Sequence, residues 1–263
     1  MATDKGQTEA PRGHSQPALV ADSGAHVDAQ IVMMAAPRSP AAEQYRVLAR
    51  RIEPAIAAGA RRVAVVSAVG GEGRSTTAAN LALALSLDGR SRVALVDAHL
   101  RAPSLHRLLA APPGPGLVDL IEGRATLAAS LWRVGAGPLE LLAAGHTDAP
   151  HARMASPVLA RVLGELAARC DVVIVDAPPT LPTADLLSFV GSVDAALLVV
   201  RAGRTPRDLI RAALGLLSAT PLLGAVLHRS DGRMDPAHRL WARSGWRDPA
   251  AGAAPATREA SQG

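Results

Sequence analysis

One stretch of the sequence, residues 63–101, constrains the fold more than any other. It begins with an apolar run at residues 63–66, passes through the glycine-rich residues 70–73, and enters an alanine- and leucine-rich run at Arg74. A short β-branched run, then glycines, then a Ser/Thr that opens a helical pattern predicts a strand, a loop and a helix in that order. A second apolar run ends the stretch at Asp97.

The loop within this stretch has the chemistry of a phosphate site. Glycines let the backbone approach an anion closely, and the helix N-terminus behind them offers free N–H groups and a positive dipole end. We therefore predict that phosphate is bound by the consecutive residues Gly71, Glu72, Gly73, Arg74, Ser75 and Thr76. Arg74 stands where such loops place a lysine. The chain's single lysine, Lys5, lies in a polar N-terminal stretch and is a poor substitute.

Two aspartates complete the predicted site. Phosphate chemistry needs backbone donors, a cation, a Mg²⁺ ion held by a Ser/Thr hydroxyl, and a nearby carboxylate. Ser75 can supply the hydroxyl, while Asp97 and Asp176 each end an apolar run, and ligand sites in parallel sheets lie at the carboxyl ends of strands. Either aspartate alone fits a helix or turn cap equally well. Together with the glycine loop, they predict a site for ATP or ADP with Mg²⁺ held by Ser75, Asp97 and Asp176.

The rest of the chain indicates one α/β domain. Apolar strand patterns alternate with helical patterns, which predicts a mostly parallel sheet with helices on both faces, as in P-loop NTPases. We assign the domain to residues 38–230, with a helix at residues 40–53 capped by Ser39. Residues 1–37 are predicted to be a disordered arm, and residues 231–263 a disordered tail containing arginine and tryptophan.

Composition limits the setting in which the chain works. It has a single cysteine, and its longest apolar run, residues 195–200, is far shorter than the ~20 residues of a membrane span. No secretion signal is recognisable at the N-terminus. We expect a cytoplasmic location, with a partner as the means of reaching the inner face of the membrane. We expect no nucleic-acid partner.

Residues 71–82, 95–101 and 174–179 resemble the three Walker-type motifs of bacterial tyrosine kinases, a family of the ParA/MinD-like P-loop group that works in capsular and exopolysaccharide synthesis. The resemblance extends to residues 39–46, 103–106 and 199–206 and covers about residues 39–228. It implies ATP-dependent phosphorylation of tyrosine, with Asp97, Arg74 and His99 at the catalytic positions and Arg101 and His228 as further nucleotide contacts. It also implies a membrane polysaccharide co-polymerase (a chain-length regulator) as partner, and a homo-oligomer formed through helix 40–53.

The sequence departs from this family at several positions. Arg74 replaces the loop lysine, and His99 replaces a second carboxylate that is implied to help hold Mg²⁺. The oligomerisation pattern Glu-x-x-Arg-x-x-Arg keeps Glu43 and Arg46 but has Ala49 in place of its last arginine, and His228 replaces an asparagine implied to read adenine. The family's C-terminal tyrosine cluster is missing, because Tyr45 is the chain's single tyrosine.

Three functions remain open at this point. The one we favour is a nucleotide-responsive regulator of polysaccharide synthesis and export with weakened catalysis, in effect a pseudokinase. The second is an active tyrosine kinase that tolerates Arg74 and His99. The third, a ParA/MinD-like positioning ATPase, fits least well, because such ATPases carry an additional lysine early in the loop, where this chain has Val69 and Gly70.

Overall fold

A computed structural model describes residues 18–19, 27–87, 91–181, 185–186 and 190–228 of the chain. The predicted tail and most of the predicted arm lie outside these residues. Within them, no helix combines the length and the apolar character that are needed to cross a membrane.

One sheet organises the domain, as the sequence predicts. Its order is β1-β4-β5-β3-β6-β2-β7-β8, and all neighbours run parallel except β4 and β5. The strands are β1 (Ala18–Leu19), β2 (Arg62–Ser67), β3 (Val93–Asp97), β4 (Leu131–Arg133), β5 (Leu139–Leu142), β6 (Val172–Asp176), β7 (Ala195–Arg201) and β8 (Leu222–His228).

Helices cover both faces of the sheet, and each face has its own apolar layer. Along β2 the side chains alternate between the layers: Val63 and Val65 belong to one, and Ala64 and Val66 to the other. The first layer is covered by α1 (Val32–Ala35), α2 (Pro40–Ala57), α3 (Arg74–Ser86) and α4 (Leu105–Leu108). The second is covered by α5 (Leu117–Ile121), α6 (Leu127–Ser130), α7 (Pro150–Met154), α8 (Pro157–Arg169) and α9 (Arg207–Leu216). The predicted fold class is confirmed.

The segment of residues 27–36, hereafter the N-terminal segment, belongs to the folded domain. Ile31 and Met33 are buried in the first apolar layer. Asn80, buried in α3, accepts a bond from the Met33 N–H at 3.0 Å and donates to the Gln30 carbonyl at 2.9 Å. The predicted arm of residues 1–37 is therefore too long at its C-terminal end. The misplaced boundary has a simple cause: α1 is too short to show a helical period in the sequence.

Helix α2 also differs from its predicted bounds. Ser39 caps its first turn, accepting from the Ala42 N–H at 3.2 Å, and Pro40 occupies the first helical position, as predicted. The helix does not stop at residue 53 but continues through Pro54 to Ala57. A proline removes one helical N–H donor and crowds the preceding turn, but packing of α2 against α3, with Ala42, Ala49 and Ile52 buried, keeps the helix intact.

Candidate functional site

The candidate site lies at the carboxyl ends of β2, β3 and β6, where a parallel sheet places its ligands. These strands end at Ser67, Asp97 and Asp176. β6 pairs with both β2 and β3, and Asp97 lies directly opposite Asp176 in the register. The topology thus brings together two strand-end carboxylates that are far apart in the sequence.

The loop between β2 and α3 has the backbone of an anion cradle. Gly71 and Gly73 have φ of +78° and +87°, values that favour glycine, and Gly73 is the N-cap of α3. Gly73 also lies against the imidazole of His228 at the end of β8, because a Cβ added there would come within 2.4 Å of the ring. The N-terminus of α3 directs unpaired N–H groups and a positive dipole end toward this loop.

Glu72, which we predict to contact the cofactor, uses its side chain to brace the loop. The side chain is buried, accepts from the Val69 N–H at 3.1 Å and accepts from the Thr205 hydroxyl. Thr205 in turn accepts from the Arg201 N–H. Both carboxylate oxygens of Glu72 thus have partners within the protein. The group of this residue that remains available to bind phosphate is its backbone N–H.

Arg74 points inward. The residue is 5% exposed and makes three side-chain bonds: Nε donates to Asp176 Oδ1 at 2.9 Å, Nη1 to Ser67 Oγ at 3.0 Å and Nη2 to His99 Nδ1 at 3.0 Å. The guanidinium therefore lies between the ends of β2, β3 and β6. Lysine, with one compact ammonium, could not reproduce this forked set of bonds.

The two aspartates are fully buried but differ in their partners. Asp97 accepts three backbone N–H bonds, from His99, Ser104 and Leu105, at 3.2, 3.0 and 3.0 Å. Burial, together with the neighbouring charge of Asp176, raises the pKa of Asp97 to about 7. Burial also raises the pKa of Asp176, and the Arg74 guanidinium opposes that rise.

His99 is a neutral hydrogen-bond acceptor in this arrangement. Burial, and then the nearby Arg74 charge, lowers the pKa of His99 to about 4. Because a guanidinium can only donate, Nδ1 of the imidazole must be the acceptor and Nε2 must carry the proton. His99 thus acts as a partner of Arg74.

Arg101 belongs to a neighbouring cluster that the sequence analysis did not identify. Asp185, 1% exposed, accepts from the Arg101 side chain and lies 2.8 Å from Nδ1 of His151. These bonds lower the pKa of Asp185 against the effect of its burial. The cluster lies near His99, whose pKa is affected by the charges of Asp185 and Arg101. No motif indicates Asp185 or His151, because their pairing depends on a contact between distant segments.

The structure therefore places the predicted site residues in three groups. Arg74, Ser75, Asp97, His99 and Asp176 are brought together. Gly71, Glu72, Gly73, Thr76 and His228 form or adjoin the loop, whereas Arg101 lies in the neighbouring Asp185 cluster. Ser67 and Thr205 are site residues that we did not predict. Ser67 follows the β2 apolar run directly, which is the signal that could have identified it.

The predicted magnesium ligands do not fit a Mg²⁺ ion as they are arranged. Both Asp97 oxygens accept backbone bonds, Asp176 Oδ1 pairs with Arg74, and the nitrogen of His99 is a donor type that Mg²⁺ disfavours. Asp176 Oδ2 has no hydrogen-bond partner, and Ser75 bonds the same carboxylate. A divalent ion there would share that carboxylate with a guanidinium. Among the described residues, no group of three or more His, Cys, Asp or Glu side chains could hold a metal ion.

Comparison with known proteins identifies the family of this domain. Residues 59–210 match the family model ParA, described as the NUBPL iron-transfer P-loop NTPase. That range contains the loop, both aspartates and every strand of the sheet from β2 to β7.

Individual relatives are named for polysaccharide synthesis or for tyrosine phosphorylation. The chain is 31% identical over 215 residues to the tyrosine-protein kinase YwqD of Bacillus subtilis, covering 80% of this chain and 90% of that protein. It is 34% identical over 212 residues to the succinoglycan biosynthesis transport protein ExoP of Rhizobium meliloti, covering 76% of this chain and 26% of ExoP. The chain thus spans about a quarter of ExoP.

The fold also matches solved structures. The chimerical protein CapA2B2 superposes with a TM-score of 0.72 at 25% identity, covering 80% of this chain and 93% of that one.

Proposed function

The chain belongs to the ParA-type P-loop NTPases and, within them, to the bacterial tyrosine-kinase family, and from this membership we propose that it is a nucleotide-binding regulator of exopolysaccharide synthesis and export with weakened phosphoryl transfer. The ligand in this proposal is ATP or ADP. The loop that contains Gly71 and Gly73 and the N-terminus of α3 hold its phosphates.

The inward position of Arg74 is the observation on which this proposal rests. A kinase must place positive charge on the phosphoryl group that is being transferred, because little else lowers the barrier. Here the cation at the lysine position is bonded to Asp176, Ser67 and His99. The site thus keeps its phosphate-binding backbone but directs its main charge into the protein.

The small number of tyrosines in the chain favours a regulator over a kinase that phosphorylates itself. Tyr45 is the only tyrosine in the chain, and burial raises its pKa. A partly buried phenol is a poor acceptor for self-phosphorylation. Any transfer to tyrosine would require a residue of another protein.

The partner in this proposal is a membrane polysaccharide co-polymerase, and self-assembly through α2 is weak. Glu43 and Arg46 pair with each other at 3.0 Å within the helix, and Arg46 also donates to the Pro37 carbonyl. Ala49, which replaces the last arginine of the oligomerisation pattern, is 3% exposed. Light scattering should therefore find no stable octamer of the isolated chain, and a stable ring would contradict this part of the proposal.

A phosphorylation assay tests the function directly. Wild-type protein and the double variant Arg74→Lys/His99→Asp are incubated with ATP and a tyrosine-rich polypeptide, and Tyr45→Phe serves as the control for internal phosphorylation. We expect transfer near background for the wild type. We expect the double variant to be faster by about 10² or more, because each misplaced charge typically costs 10²–10³ in rate.

The single variants show whether the two positions act together. Lysine and a second carboxylate would act on the same phosphate, so we expect the double variant to exceed the combined effects of the single ones. Robust phosphorylation by the wild type, with little gain or a loss in the double variant, would refute weakened catalysis and leave the active kinase as the function.

A further inference from the structure

The buried Arg74 guanidinium lies against one of the two strand-end carboxylates that we predict to hold a metal ion. Its Nε donates to Asp176, and Asp176 lies opposite Asp97 in the register of β3 and β6. The side chains of Arg74 and Asp176 are 6% and 0% exposed. A permanent cation thus lies against the strand-end carboxylates, shielded from solvent.

Most of the oxygen atoms of Asp97 and Asp176 already have hydrogen-bond partners. The three backbone N–H groups on Asp97 hold it in place without any cation. Asp176 Oδ1 accepts a hydrogen bond from Arg74, and Asp176 Oδ2 is buried without a hydrogen-bond partner. Mg²⁺ requires near-octahedral oxygen coordination and tolerates distortion poorly. It would have to use one oxygen of a carboxylate whose other oxygen is bonded to a guanidinium.

We propose that this site binds its nucleoside di- or triphosphate without a divalent metal ion, with the Arg74 guanidinium serving as the fixed positive charge beside Asp176. The inference rests on the proposed nucleotide binding and deepens it by defining the form of the ligand. The species that binds is the free nucleotide anion.

The phosphate-binding groups in this state all belong to the chain. The bonds of Arg74 to Asp176, Ser67 and His99 hold its guanidinium inside the protein. Its charge offsets that of Asp176, which would otherwise repel a nucleotide anion. The loop N–H groups and the positive end of α3 bind the phosphates. Mg²⁺ in solution then competes for the nucleotide, because it withdraws the free anion.

Nucleotide affinity with and without metal tests this inference. Binding of ADP and of ATP to the full chain is measured by calorimetry in excess EDTA and in excess Mg²⁺. For wild type we expect the Kd in EDTA to lie within about threefold of that in Mg²⁺, or below it. For Arg74→Lys, whose ammonium cannot hold all three partners, we expect EDTA to weaken binding by about 10-fold or more, the scale on which supporting residues change metal affinity.

Arg62 offers a matched control at the amino end of β2, opposite the strand ends that form the site. It begins β2, and its Nη2 donates to Asp194 Oδ1 at 2.6 Å, so Arg62→Lys makes the same chemical change in an arginine–aspartate pair remote from the site. We expect Arg62→Lys to show the wild-type ratio of affinities. Circular dichroism of each variant establishes that it is folded.

The possible results separate the two proposals. Binding by the wild type that EDTA weakens by 10-fold or more overturns metal independence but leaves nucleotide binding intact. No binding of ADP or ATP in either condition overturns both proposals. Equal EDTA ratios in wild type and folded Arg74→Lys would show that the guanidinium does not determine the metal requirement, which also overturns the inference.

Discussion

Replacing Arg74 with methionine leaves a carboxylate buried without its cation. Methionine keeps a long unbranched side chain, so the change removes charge and hydrogen bonds with little loss of volume. Asp176, 0% exposed, then has to ionise without a partner or take up a proton. We expect it to take up a proton, because an isolated buried charge costs far more than a buried neutral acid.

That protonation sets the size of the effect. The usual pKa of an aspartate is 3.8, and keeping it protonated costs about 1.36 kcal/mol for each unit of pH above that value, so neutral Asp176 costs at most about 4 kcal/mol at pH 7 relative to the wild type, in which burial already raises its pKa. The value agrees with the 3–5 kcal/mol typical of breaking a buried ion pair. At pH 5 the same reasoning gives only about 1.6 kcal/mol. The penalty for Arg74→Met should therefore fall by more than half between pH 7 and pH 5.

Urea unfolding at the two pH values measures this penalty. The set comprises wild type, Arg74→Met, Asp176→Asn and the double variant, each compared with wild type at the same pH. The double variant should recover most of the loss at pH 7, because it has no buried charge left unpaired. A penalty that is equal at both pH values, or a double variant as unstable as the sum of the single ones, would refute the charge argument and indicate lost packing.

Three further predictions concern neighbouring parts of the fold. Because burial raises the folded-state pKa of Asp97 from 3.8 to about 7, the folded protein holds a proton that the unfolded chain releases. The free energy of unfolding should therefore fall by up to about 4 kcal/mol as the pH rises from about 4 to about 7, and urea titrations should show that Asp97→Asn removes most of this decline. Gly73→Ala should lower the melting temperature more than Gly123→Ala, because both glycines have positive φ but only at Gly73 would a Cβ meet the His228 ring. If His228→Ala fails to close that gap, the contact is not its cause. Asn80→Ala leaves the buried Met33 N–H unpaired, which should cost about 1–3 kcal/mol and speed amide hydrogen exchange in the N-terminal segment; unchanged exchange would contradict this.

The secondary structure near the loop could be predicted because its signals are local. The β-branched run of β2 and the alanine-rich run of α3 each indicate their element by local composition, and both elements are confirmed. The end of α2 differs from its predicted position, because the helix continues through Pro54 to Ala57 while packed against α3. The fold class followed from the alternation of strand and helix patterns.

The direction of side chains could not be predicted in the same way. The sequence places Arg74 at the lysine position of the loop, but its inward turn depends on three partners supplied by β2, the segment after β3, and β6. The same holds for Asp185, whose partners Arg101 and His151 are 84 and 34 residues away in the chain. Contacts of this range are fixed by topology, which local patterns do not contain.

The strand order also determines when this domain can fold during synthesis. The loop strand β2 pairs only with β6 and β7, and Asp194, just before β7, is made 132 residues after Arg62. At ribosomal rates of about 5–20 residues per second, β2 waits roughly 7–26 s for its second neighbour. The glycine loop and the start of α3 are therefore among the first parts of the domain to leave the ribosome and among the last to acquire their structure. Nascent chains halted before β7 should expose the β2 apolar run, and chaperones that recognise such runs would bind there.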